Sequence, residues 1–323
     1  EGGIDLKQAS NNIINNRMMP WAFEEKHNLK LCKIDMIDLI EVAPGIASLK
    51  VYGARMHSKT LQDLPYEHDT VLGEAQMDVV REYCLNDLAT TLDLFNYLKP
   101  QLDLRETMSK KYDLDLRSKS DAQIAEAVIK KLLHQDYGVY AKKRELNLPY
   151  KFKYVAPDYL KGKLNGLVDE IEALDFVVDE NDLLATPEAL KNKNITIGDT
   201  VYRMGIGGLH SSEKKLTLDV DGVIEDRDVG SYYPSLISNN KYYPEHLGEP
   251  FLHVYRTIYH ERIAAKKSGD KVTADVMKIM LNGSFGKLGS KYSIFYSPDM
   301  LVQVTLTGQL SLLLLISELE DTG

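Results

Sequence analysis

The sequence predicts a multidomain α/β protein, and three observations carry that expectation. Its 323 residues suffice for two or three domains with buried cores, and a composition 44% hydrophobic and 27% charged is that of ordinary globular proteins. Apolar residues recur at helical spacing in stretches before residue 140 and again after Pro250, whereas from Ile195 the period becomes that of strands. The dipeptides Gly198-Asp199 and Asp221-Gly222 punctuate this strand region as hairpin turns.

Taken in order, Asp38 to Pro100 reads as a mixed α/β piece. It ends in a helix from about Glu74 to Leu98, where Met77, Val80, Cys84, Leu88, Leu92 and Phe95 share a face and Pro100 marks the stop. Ser120-Asp-Ala-Gln123 has capping-box spacing ahead of Ile124, Ala127, Val128 and Leu132, so a helix should run to about His134. Asn147 to Asn194, rich in Lys, Asn, Pro and acids, reads as a variable surface connection with short helices and no chemistry. Ile195–Ile197 and Thr200–Met204 form a hairpin followed by Gly205-Ile-Gly-Gly208. A second hairpin, Lys215–Val220 with Val223–Val229, places Asp228 at a strand end. Helices over Leu252–Lys267 and Val272–Leu281, parted by Ser268-Gly269-Asp270, should form an antiparallel hairpin. A last helix, about Asp299 to Leu319, carries a Leu run that calls for burial.

The bulk numbers narrow the function. Cys32 and Cys84 give neither a disulfide framework nor paired zinc-ligand spacing, which points to a reducing compartment. No uninterrupted apolar stretch reaches the roughly 20 residues of a membrane span, Leu310 to Ile316 being the longest, so a soluble protein is expected. A net charge of −9 argues against a generally basic nucleic-acid coat but leaves room for a locally basic cleft. Because the chain opens at Glu1 rather than Met, a fragment of a longer protein is expected.

The sharpest local signal is Asp228-Val-Gly-Ser-Tyr-Tyr-Pro-Ser235: an acid, a tight turn, two aromatics, then a Pro-Ser step that can open a helix. Two-metal phosphoryl transfer needs a carboxylate on rigid backbone with carbonyls free to coordinate beside it. Alone, the stretch reads as a turn cap with core aromatics, and only its context reverses that. Downstream, Arg262 and Lys266 lie four apart on one helix, and Lys278 and Asn282 four apart on its partner. Singly, each pair is a solvated face; brought together by the hairpin, three cations and an amide suit a triphosphate. Gly283 and Gly286, each costing about 1 kcal/mol inside a helix relative to Ala, suggest a close approach there. Upstream, Tyr83 and Asp87 stand four apart on a helix, a spacing that fits a metal ligand and a partner for the attacking water.

In order and spacing these elements resemble family B DNA polymerases. Asp228 to Ser235 is similar to the family's D-x-x-S-L-Y-P-S element, Lys278 to Gly286 to K-x-x-x-N-S-x-Y-G, and Arg262 with Lys266 to its R-x-x-x-K phosphate contacts. Tyr232 replaces the usual Leu, Gly283 the usual Ser and Phe285 the usual Tyr; the last loses a hydroxyl near the template base pair. The resemblance implies that Asp228 and the Val229 carbonyl hold two magnesium ions. It implies that Ser231, Tyr232, Tyr233, Arg262, Lys266, Lys278 and Asn282 bind the incoming dNTP, with the Tyr233 ring beneath its sugar. Tyr83 and Asp87 resemble the third element, Y-x-x-x-D, of the family's 3′–5′ exonuclease, whose site would use two more magnesium ions. Its other two elements are not found upstream. Tyr202 to His210, with Gly207 and Gly208, resembles the Gly-Gly segment that touches template, although an ordinary hairpin loop fits it as well; Lys214 and Lys215 follow. Gly286 joins the expected DNA contacts, and Ser48-Leu49 resembles an exonuclease contact to the primer terminus.

On this resemblance residues 1–100 are the C-terminal part of a ribonuclease H-like exonuclease domain and 101–194 a helical connection. Residues 195–240 begin the palm, an antiparallel sheet with helices; 241–290 are helical-hairpin fingers; and 291–323 are a truncated palm helix. The implied partners are primer-template DNA, dNTPs and replication accessory proteins, with no membrane. The implied location is host or bacterial cytoplasm, and the compact fingers resemble phage or viral enzymes. The second carboxylate, from a D-T-D hairpin, is not read in Glu320-Asp-Thr-Gly323, so this chain alone is expected not to extend primers. Two other readings stand beside it: a stand-alone ribonuclease H-like nuclease centred on Asp87, and a non-catalytic DNA-binding relative of polymerases.

Overall fold

The computed structural model describes residues 5–32, 34–213, 217 and 222–322. These fall in two compact units, one reaching to Asp38 and the other beginning at Leu39. The first contains α1 (Leu6–Asn15), whose N-cap Asp5 accepts from the Gln8 amide at 3.0 Å, and α2 (Pro20–His27), opened by its proline. The expected boundaries near 100, 194, 240 and 290 all fall within the second unit.

The second unit begins with α3 (Leu39–Val42), α4 (Leu49–Arg55), α5 (Glu74–Tyr97), α6 (Lys99–Tyr112) and α7 (Asp121–Tyr137). Between 38 and 100 a mixed α/β piece was expected; the described residues there form helices and no strand. A strand needs a neighbour to pair its N–H and C=O groups, and the irregular 56–73 stretch meets none. Pro100 closes α5 and at once opens α6, where a missing N–H costs nothing. The capping box of α7 is present: Gln123 N–H donates to Ser120 Oγ at 3.4 Å and Ser120 N–H to Gln123 Oε1 at 3.0 Å. Buried Arg105 fastens α6 to that helix start through Asp121 Oδ1 at 2.7 Å and the Lys119 carbonyl at 2.9 Å.

Next come β1 (Tyr150–Phe152), α8 (Leu167–Ala173), β2 (Phe176–Val178) and β3 (Leu184–Ala185), then β4 (Asn194–Ile197), β5 (Thr200–Arg203) and β6 (His210–Ser212). They form two three-stranded antiparallel sheets ordered β1-β2-β3 and β4-β5-β6. The first hairpin stands as expected, with Ile197 opposite Thr200 and Gly198 at φ 56° in the turn. Residues 147–194 are not the surface connection expected: Tyr154, Leu160, Phe176 and Val178 are fully buried. Their partners lie some 150 positions away, so no local period announces them.

The chain finishes with α9 (Tyr232–Asn240), α10 (Gly248–Ser268), α11 (Lys271–Gly286) and α12 (Pro298–Thr322). Among the described residues the chain is thus an α/β protein of twelve α-helices and two small sheets. The α10–α11 hairpin forms where the sequence places it: Gly269 takes the left-handed cap at φ 77°, and Asp270 accepts from Thr273 N–H at 3.0 Å. Strand Lys215–Val220 of the second expected hairpin, Thr217 apart, lies outside the described residues, as do Lys214 and Asp221 of the turn. Its other strand does not form. Residues 222–229 have no regular structure, and Val223 and Ile224 are exposed, so neither a ladder partner nor a core face holds them extended.

Two cores result. One packs α7, α10 and α11 through Ile124, Val128, Tyr255, Ile258, Met277 and Met280; the other seats the sheets and α8 on α12 through Tyr154, Phe176, Val302, Leu306 and Leu310. Pro298–Asp321 is long and apolar enough to cross a membrane by length and composition, unlike the short run read from the sequence. Yet 56% of that window is buried in the fold, as in a core helix.

His246, between α9 and α10, makes stability pH-dependent. Its Nε2–H donates to the Ile294 carbonyl at 2.7 Å, while Nδ1 is buried without a partner. Burial first, and Arg144 nearby, hold its pKa below 6.5, against the opposing pull of that carbonyl, Asp299 and Glu245. Above 6.5 both folded and unfolded states are neutral; below it the unfolded chain takes a proton that the folded one refuses, so stability falls. The melting temperature of wild type should therefore drop more steeply than that of His246→Gln as pH falls through that window. Parallel curves would refute the assignment.

Candidate active site

Three sequence-predicted elements meet around the start of α9. Ser231, in left-handed backbone at φ 58°, caps the helix, and its hydroxyl accepts from Arg262 Nη1 of α10 at 2.8 Å. Ser235 turns its hydroxyl back to the Ser231 carbonyl at 2.9 Å and lies 3.0 Å from the Tyr259 hydroxyl of α10. From α11, the Phe285 ring stacks on Tyr233 at 4.4 Å with planes 24° apart. Tyr232 stacks on Tyr233 at 5.9 Å and donates to the Gly308 carbonyl of α12 at 2.6 Å. Burial pushes both phenols up, so both stay protonated donors.

Helix α12 supplies residues that sequence reasoning missed. A side chain at Gly308 would press on Leu236, Tyr232 and Tyr233 at 3.2–3.4 Å. The next residue, buried Gln309, donates to the carbonyls of Gly205 and Gly207 at 2.8 and 2.7 Å and accepts from Gly205 N–H at 3.2 Å. The glycine loop is thereby held by the residue next to the one that receives Tyr232. Gly207 and Gly208 stay exposed, and a Cβ on Gly207 would meet nothing, whereas Tyr202 packs against the second core. A single Gly and a single Gln inside a leucine run were the available signal.

The cationic clamp is divided. Arg262 is buried and committed to Ser231, with its Nε unpartnered, while Lys266 one turn on is exposed. Lys278 and Asn282 are exposed on α11 and open into a cavity of about 550 Å³ shared with Lys271, and with Asp103 and Thr107 of α6. Arg262 is thus a brace at Ser231, while Lys278 and Asn282 form a polar wall on α11. The physical reason is depth: the α10 face is covered at Arg262 and clear of the core at Lys266. What approaches Gly283 is α7: a Cβ there would sit 2.6 Å from the Asp121 carbonyl. Gly286 is open, with nothing within 4 Å of a built Cβ.

Asp228 and Val229 lie on the exposed irregular segment, not on a strand end. Among the described residues Asp228 makes no hydrogen bond or ion pair. No group of three or more His, Cys, Asp or Glu able to hold a metal occurs among them either. The residues present thus do not by themselves fit a two-magnesium centre at Asp228 or at Asp87, and no step is derived through one.

The upstream pair lies on one helix face. Tyr83 and Asp87 lie on α5, and hydrogen bonding to Asp87 pushes the Tyr83 phenol above its usual value. Lys50 of α4, missed in the sequence, pairs with Asp63, which holds its amine up; Tyr83 and Asp87 add to the effect. Ser48 caps α4, accepting from Val51 N–H at 3.5 Å, and Leu49 begins it. Close packing sets this geometry, because a Cβ on Gly53 would collide with Leu61 and Thr90 at 2.8 and 2.9 Å. Comparison with protein-family models, with curated proteins and with solved structures finds no match to this chain.

Proposed function

We propose that this chain is the proofreading tail, partial palm and fingers of a family B DNA polymerase that adds dNTPs to a primer. The observation that carries the reading is the meeting of the Asp228–Ser235, Arg262–Lys266 and Lys278–Gly286 elements through the Arg262–Ser231 bond and the Tyr233–Phe285 stack. Unrelated surface motifs have no reason to meet. In this reading Arg262 positions the Ser231 turn, and Lys266, Lys278 and Asn282 offer exposed donors to a triphosphate. Gly207, Gly208 and Gly286 let a template backbone approach.

Tyr233 would act on the sugar. Stacked on Phe285, its ring cannot swing aside, so a 2′-hydroxyl against it meets a fixed wall. Tyr233→Ala in the natural protein should raise ribonucleotide incorporation relative to dNTPs by roughly tenfold or more, the scale on which a shaped pocket discriminates. Sugar selectivity equal to wild type in single-turnover primer extension would remove the reading. A second reading rests on α5: Tyr83 and Asp87, one turn apart and hydrogen-bonded, support a 3′–5′ exonuclease role for that end of the chain.

A further inference from the structure

Despite the overall charge of −9, the segment Lys142-Lys-Arg-Glu-Leu-Asn-Leu-Pro-Tyr-Lys-Phe-Lys153 carries one acid among its cations and interleaves aromatics with them. Its end forms β1, an edge strand paired only with β2. There it borders a cavity of about 350 Å³ with the α9–α10 connection, lined by Tyr150, Phe152, Lys153, Lys241, Tyr242 and Tyr243.

The walls of this cleft are fixed. Tyr150 stacks on Phe152 at 5.5 Å, and Phe152 on buried Phe176 at 5.7 Å. The Tyr242 hydroxyl accepts from Gln303 Nε2 at 3.0 Å and lies 3.1 Å from Thr307 Oγ1. The one lining carboxylate, Asp299, is neutralised: Arg144 Nη1 reaches both its oxygens at 2.9 Å, while Arg144 also stacks over Tyr150. Lys241 caps α9 in left-handed backbone at φ 58° and is exposed without an ion pair among the described residues. Lys153 donates to the Ala173 carbonyl at 3.2 Å and touches Asp175 at 3.7 Å, both side chains of that pair being exposed, so the pair competes weakly with a ligand.

Fixed half-buried rings beside an unneutralised cation and a weakly held one are what a strand with free base faces requires. A duplex, whose bases already stack on each other, cannot offer them to the rings, and an acidic peptide would use the cations but leave the rings idle. We infer that the cleft between β1 and the α9–α10 connection binds single-stranded nucleic acid, with a base on Tyr243 and phosphates at Lys241 and Lys153. This site is separate from the Asp228–Arg262 region and does not depend on the polymerase reading.

The test is fluorescence anisotropy of labelled oligothymidylate, oligouridylate and a DNA duplex with the full chain at low salt. Lys241→Asn, which keeps a residue suited to left-handed backbone, and Tyr243→Leu should each weaken single-strand binding about tenfold, a typical loss for one stacked base or charged contact. Exposed Lys153→Gln gives an independent reading if Tyr243→Leu melts early. The two labelled single strands tell DNA from RNA, and binding of either supports the cleft. Wild-type affinity in correctly folded Lys241→Asn and Lys153→Gln would overturn it, as would duplex binding as tight as single-strand binding or equal competition by polyglutamate. Strand binding lost on Lys241→Asn, together with unchanged sugar selectivity on Tyr233→Ala in the natural protein, would leave this inference standing while removing the proposed activity.

Discussion

Gly283→Ala is expected to destabilise the fold by about 2–3 kcal/mol, although glycine-to-alanine inside a helix ordinarily gains close to 1 kcal/mol. The sign is decided by space. The new methyl would lie 2.6 Å from the Asp121 carbonyl, 2.9 Å from Ala125 Cβ and 3.1 Å from Ala122 Cα, so two of three obstacles are backbone. Relief requires α7 and α11 to part, and both are built into the first core through Ile124, Val128, Met277 and Met280. Urea denaturation with an unchanged m-value and a lower midpoint would report the loss. A variant as stable as wild type would show that the two helices do not pack this closely.

Asp228→Asn should separate activity from stability. Its carboxylate is exposed and, among the described residues, makes no hydrogen bond or ion pair, so the melting temperature should not move. In the natural protein, primer extension should fall about a thousandfold or more, because an amide lacks the negative charge that the proposed nucleotidyl transfer would draw on at this position. Loss of several kcal/mol of charge stabilisation corresponds to that factor. Extension at the wild-type rate by the Asn variant would remove Asp228 from the chemistry.

Much of the helical framework was legible because its signals are local. The Ser120–Gln123 box, Gly269 with Asp270, and Pro100 each act within one turn of chain, and all three elements begin or end where those residues place them. The first hairpin was legible for the same reason. What escaped depends on partners distant in sequence. Tyr154 and Phe176 looked like surface because α12, which covers them, lies more than a hundred residues on. Asp228 was placed on a strand by alternation alone, and no neighbouring strand or core face supports one. Within the site, spacing correctly put Arg262 and Lys266 on one helix but could not tell that the former is covered and the latter is not. Lys50 and Gln309 were invisible because their roles exist only through contacts made in three dimensions.

Helix α12 gives Met300 and Val304 to one core and Val302, Leu306, Leu310 and Leu313 to the other. A rod gripped on two sides cannot roll to ease one grip without prying at the other. Gly308 and Gln309 lie midway along it, holding Tyr232 and the glycine loop respectively. Any rearrangement that guests impose on these two pieces is thus transmitted as a joint swing about a common shaft, and a loop that moved by itself would have to break its amide clasp first.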